Sequence, residues 1–200
     1  MGILGLAITG FLGFFFVRTI VPTYFMKNKE NLHLKFNKSK SNRIHFIVPS
    51  LIQDVNGQKF GWITLDSEYN LVAIKEHVGF GSSSGVLMDK TLAEFKKDLA
   101  KASFMMSFDA TEVSNEFDLD GKMDSSDLVC LKALSAEFAR KAGIDTDSFG
   151  LAKTLENLFG ADAKDFDVTD LGINLLLQAK VVQKFGQMNL IPAKVPVMVN

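Results

Sequence analysis

Two hundred residues suffice for one or two small domains, and 47% apolar residues allow a sizeable core. A formal net charge of −1 excludes bulk electrostatic attraction to nucleic acid. A single cysteine, Cys130, excludes an intramolecular disulfide and any cysteine-rich zinc cluster.

The first element is apolar. The stretch MGILGLAITGFLGFFFV carries no charged side chain, and RTIVPTYFM extends it with only Arg18 as interruption. At about 1.5 Å per residue, residues 3–26 reach across a hydrocarbon core of about 30 Å. Arg18 at mid-bilayer costs roughly 2.5–3.5 kcal/mol, less if its side chain snorkels. A shorter span ending near Val17 leaves Arg18 at the headgroups, and both spans remain open. A cleaved signal peptide fits less well, because neither a basic leader nor a small-x-small cleavage site flanks the run. Myristoylation at Gly2 lacks its Ser or Thr, since Leu6 stands there. The competing reading is a buried N-terminal helix of a soluble domain, for which this run is unusually long. The expectation is a single-pass transmembrane anchor over residues 1–26.

Basic residues follow the anchor and none precedes it, which places the C-terminal bulk in the cytoplasm. Gly5, Thr9 and Gly13 recur every fourth residue and form a small-residue face on which a second membrane helix can pack. Small residues are also common in membrane helices without any such partner.

Residues 27–42 read as a solvated basic linker suited to lipid headgroups. RIHFIVP, KFGWITL and NLVAIKEHV then read as three strands, with Asn56-Gly57 as a hairpin signal, so a small antiparallel meander is expected over residues 43–78 of a β region, 43–86. GFGSSSG has neither dinucleotide-loop nor P-loop spacing and reads as a connector. Beyond it, helices are expected near 90–106, 108–117, 125–142, 148–159 and 168–185, as a helical domain over 87–186. Gly143, Gly160 and Gly186 stand where C-terminal caps belong. The tail, 187–200, holds two prolines and should be irregular, with apolar residues that dock.

The stretch EFDLDGKMDSSDL concentrates acids. With Gly121 at position six of a twelve-residue calcium loop, Glu116, Asp118, Asp120, Asp124 and Asp127 fall at positions one, three, five, nine and twelve, with Met123 at the apolar eighth. The stretch resembles an EF-hand loop, and its Asp at position twelve resembles dockerin-type calcium repeats. The resemblance covers about 25 residues and implies a Ca²⁺ site held by those five carboxylates. Glu116 departs from the usual Asp at position one, and an apolar stripe through Met106, Ala110, Val113 and Phe117 carries the entering helix into the loop. A metal-free reading competes: Asp124 as helix N-cap, Asp127 as its capping-box partner, and Met123 against Leu128 as a hydrophobic staple. Phe166, Asp167, Asp170 and Leu171 repeat that pattern, with Ala161 and Ala163 where ligands would stand. Capping thus accounts for two copies and calcium for one.

None of His33, His45 and His77 has a second ligand at metal spacing, and Cys130 reads as a small core residue beside Leu131, Leu134 and Phe138. With no catalytic constellation, the chain reads as a non-enzyme of α+β class. It combines a transmembrane anchor, a β meander and a helical domain resembling an EF-hand pair. The expected role is an accessory or assembly subunit of a membrane complex, contacting membrane lipid and other subunits and no nucleic acid. A calcium-responsive module is the alternative, and an enzyme of unknown type the third reading.

Overall fold

The computed structural model describes residues 34–54, 57–80, 85–108, 110–117, 127–145, 147–161 and 165–191. The expected anchor, with Arg18 and the Gly5, Thr9, Gly13 face, lies outside them. Among the described residues no helix is long and apolar enough to cross a membrane.

Among the described residues the fold is α+β: a mixed five-stranded sheet with five helices. Strands β1 (Phe46–Asp54), β2 (Gly57–Leu65) and β3 (Leu71–Phe80) form the expected antiparallel meander. Asp54 pairs with Gly57, so Gly57 stands in the ladder at the start of β2 rather than at the central turn position the Asn-Gly signal assigns to it. Helix α1 (Gly85–Leu99) follows, then β4 (Phe104–Ser107), α2 (Ala110–Glu116), β5 (Leu128–Cys130), α3 (Leu131–Ala142), α4 (Leu151–Phe159) and α5 (Leu171–Gln187). The sheet order is β3-β2-β1-β4-β5, and β4 and β5 join parallel.

Strands β4 and β5 fall inside the stretch expected to be wholly helical. Phe104 to Met106 of β4 fall within the expected helix 90–106, and LVC within the expected helix 125–142. Both are short apolar runs that periodicity does not separate from helix. All four residues of β4 are buried, which suits a central parallel strand covered on both faces.

Alternate side chains of the central strands point into two cores. Phe46 and Val48 of β1, Ile63 and Leu65 of β2 and Phe104 and Met106 of β4 pack with α3, α4 and α5. Ile47, Phe60, Trp62 and Met105 pack on the other face with Phe95 and Leu99 of α1, Val113 of α2 and Phe117 just after it. The sheet is therefore sandwiched between two helical layers, and its period of two is apolar on both faces. Gly61 lets α5 close on β2: a Cβ there would lie 2.6 Å from the Lys75 carbonyl oxygen and 3.0 Å from Leu175.

Gly143 (φ 66°) and Gly160 (φ 63°) are the expected left-handed caps of α3 and α4. Gly186 is not a cap. It lies within α5, where a Cβ would collide with the Tyr69 ring, itself stacked on Phe46 at 5.0 Å. The start of α5 also differs from expectation. Asp170, not Asp167, is the N-cap and accepts the Ile173 amide at 2.8 Å. Asp167 instead closes a turn through the Thr169 amide and hydroxyl. The basic linker is partly seated: Leu34 and Phe36 pack against the larger core, and Lys180 Nζ donates to the Lys35 carbonyl at 2.7 Å. At the other end, Leu190 and Ile191 dock on the same core.

Candidate functional site

Of the five proposed calcium ligands, Asp118, Asp120 and Asp124 lie outside the described residues. Glu116 is the last residue of α2, and Asp127 immediately precedes β5. Among the described residues, no group of three His, Cys, Asp or Glu side chains could hold a metal ion. The flanking elements differ from both expectations. A strand parallel to β4, not a helix, leaves the acidic stretch, and α3 begins only at Leu131. Capping by Asp124 and Asp127 is thereby corrected. The N-cap of α3 is Cys130, which makes no side-chain cap bond. Cys130 ends β5 and is half-buried, so it precedes the helix face on which it was expected. The pattern at Asp170 shows why the reading misled: both copies start with Asp-x-x-Asp-Leu, but packing against β4 draws Leu128 to Cys130 into the sheet.

The second constellation couples α1 to the outer strands. Lys75 Nζ of β3 lies 2.6 Å from Glu94 and 2.9 Å from Asp98, both on α1. Trp62 Nε1 donates to the same Asp98 oxygen at 3.1 Å. The Trp62 ring stacks on His77 at 5.4 Å, and His77 Nδ1 shares a hydrogen bond with Thr91. Burial disfavours the Asp98 charge, but the Lys75 and Trp62 hydrogen bonds outweigh it and hold its carboxyl below the usual range. Burial likewise opposes the Lys75 charge, and its two carboxylate partners raise its pKa regardless. Lys75, Glu94, Asp98, Trp62, His77 and Thr91 each have a partner within the cluster, so the arrangement fastens α1 to the sheet.

The third constellation is a polar cleft of about 1280 Å³ at the end of the sheet where β1 and β4 begin. Three segments line it: the linker residues Asn37 to His45, the β2–β3 turn, and the α1–β4 turn with Lys101 and Ser103. The linker is fixed there by backbone bonds. Asn37 accepts from the Leu71 amide and the Ser39 amide donates to the Leu71 carbonyl, both at 2.8 Å. Ser39 Oγ accepts the Ser41 amide, and the Ser41 hydroxyl accepts the Arg43 amide. Asp66 secures the junction. It accepts Ser39 Oγ at 2.6 Å, the Glu68 and Asn70 amides at 2.9 Å each, and Asn70 Nδ2 at 3.2 Å. His45 is wedged edge-on between Phe46 and Phe104, which makes it a packing side chain as well as a lining one.

Motif reading finds the basic linker with Lys38, Lys40 and Arg43 but misses the cleft, because Lys101 joins them only in the fold. The available signal was the alternation of Leu34 and Phe36 about Lys35, which half-buries both apolar side chains against the larger core and so turns that part of the linker into part of the domain. Comparison with protein-family models, with curated proteins and with solved structures finds no match to this chain.

Proposed function

We propose that this chain is a single-pass membrane-anchored accessory or assembly subunit of a larger membrane protein complex, acting through protein contacts, with its folded domain on the cytoplasmic side. One observation carries the reading: an apolar N-terminal run over residues 1–26, with Arg18 as its only charged side chain, is followed by six basic residues between Lys27 and Arg43, with a single acid among them. The Gly5, Thr9, Gly13 face supplies the helix contact. The test is alkaline extraction of membranes followed by size analysis in mild detergent. The chain is expected to stay with the bilayer and to elute as a defined larger particle. Replacing Gly5, Thr9 and Gly13 together by Leu should preserve insertion and dissolve that particle. A wild-type chain that elutes alone as a monomer overturns the reading.

A calcium-responsive module is the second reading, and a specific observation favours it. The helix that would have employed Asp124 as its N-cap begins at Leu131 with Cys130 in that position, so neither Asp124 nor Asp127 is its N-cap. Glu116, Asp118, Asp120, Asp124 and Asp127 would be the ligands. The expected result is a Tm of the full chain in detergent that rises with calcium and not with magnesium, a rise lost in Asp120→Ala and in Asp127→Ala. The affinity should be modest, with Kd on the order of 10⁻⁴ M, because a single Asp at position twelve replaces the bidentate Glu. No shift at millimolar calcium discards the reading.

A further inference from the structure

We infer that the cleft between the linker and the two turns is a docking site for the headgroups of anionic lipid. The inference rests on the membrane-anchored reading in its topology and on the cleft in its chemistry.

Four cations meet there: Lys38, Lys40 and Arg43 from the linker and Lys101 from the α1–β4 turn. All four are exposed. Lys38, Lys40 and Arg43 have no salt-bridge partner among the described residues, and Lys101 has only a long contact of 3.8 Å to Asp98. Two carboxylates share the cleft. Asp66 is consumed by the four hydrogen bonds that hold the linker, and Glu68 receives only a 3.4 Å contact from Asn70. The excess is positive, and it faces solvent on a backbone already fixed by hydrogen bonds. A cationic surface that is ordered before binding loses little entropy when it binds.

The location selects the partner. Seven residues, 27–33, separate Met26 from Leu34, and even fully extended they reach only about 30 Å. The end of the sheet that the linker enters is therefore the end tethered to the bilayer, and the cleft opens at that end. A tether of this length raises the effective concentration of the cleft at the headgroup layer, so contacts that are weak singly become occupied. On the cytoplasmic leaflet the available anions are lipid phosphates and carboxylates. A free phosphate would satisfy the same cations, and it is separated by experiment.

The experiment uses the full chain in neutral phosphocholine micelles doped with increasing fractions of phosphatidylserine, reading hydrogen exchange of the amides at 38–43 and 101–103. Exchange there should slow as the anionic fraction rises, and the protection should vanish when salt is raised from 50 to 500 mM. Each basic residue contributes about fivefold at an anionic surface, so K40A with R43A should raise the half-saturating fraction on the order of 25-fold. R140E, outside the cleft, should change nothing. Salt release on the wild type needs no variant to fold. Equal protection by millimolar inorganic phosphate in undoped micelles overturns the inference in favour of a soluble anion site, and no protection at any doping overturns it outright. If alkaline extraction strips the chain from membranes while the protection persists, the anchor fails and the cleft stands.

Discussion

Replacing Trp62 by alanine should destabilise the folded domain by about 3–5 kcal/mol, the range for removing a fully buried large aromatic. Trp62 is 0% exposed and is the only tryptophan in the chain. Its ring contacts Phe60 at 5.6 Å, Phe95 at 5.3 Å and His77 at 5.4 Å. Truncation leaves a cavity between β2 and α1 and also removes the indole donor from Asp98, a carboxylate with little access to water. Trp62→Phe separates the two effects. It restores most of the ring and forfeits the hydrogen bond, so about 1–3 kcal/mol should be lost. Far-UV circular dichroism through a denaturant series measures both, since fluorescence disappears with the residue. Because domains of this kind have about 5–15 kcal/mol in hand, the alanine variant should shift the midpoint severely. A loss below about 1 kcal/mol would mean that the α1 layer is not held by this cluster.

The meander was legible because its three apolar runs are separated by turn signals, Asn-Gly and DSEYN; its register was not, since Gly57 pairs with Asp54 and β2 meets β3 through two register shifts. Helices α3, α4 and α5 were legible from periodicity and from Gly143 and Gly160. Strands β4 and β5 were not, and the reason is physical. A strand buried on both faces loses its alternation, so FMMS and LVC have no period to read. The acidic stretch misled for a related reason. Asp-x-x-Asp-Leu is a sound local capping signal, and at 167–171 it does lie beside a helix start, though Asp170 rather than Asp167 makes the cap. At 124–128 the same pattern runs into a strand whose pairing with β4 is set by residues 105–107, about twenty positions upstream. Local chemistry cannot report that competition. Gly186 was misplaced likewise: its position near a helix end suggested a cap, but its role is set by Tyr69, more than a hundred residues away. The basic cleft depends on the same kind of distant meeting, here between the linker and Lys101.

Asp66→Ala should cost about 2–4 kcal/mol and should do so by releasing the linker, since hydrogen bonds to a charged acceptor contribute about 1.5–3 kcal/mol each and are not additive. Asp66 is buried, and one carboxylate serves the turn through the Glu68 and Asn70 amides and the linker through Ser39. Without it the turn loses its internal acceptor, and Ser39 loses its tie to the sheet. The amides of residues 39–43 should then exchange faster than those of β1, which a purely global destabilisation would not produce. The acid side gives an independent check. Burial opposes the Asp66 charge, but the hydrogen bonds from Ser39, Asn70 and Glu68 outweigh it, so its pKa in the folded state lies below the ordinary value of 3.8. Such a depressed carboxyl contributes its full stabilisation above the unfolded pKa and loses it as pH falls through the folded one. The wild type should therefore lose stability faster below about pH 4 than Asp66→Asn, which cannot titrate. Equal acid sensitivity would assign the loss to other carboxyls held below their ordinary range, Asp98, Asp167 and Glu137. If Asp66 is the clasp, the same variant should also weaken lipid-dependent protection of the cleft while leaving its four cations in place, because they bind as a set only while the linker is held against the sheet.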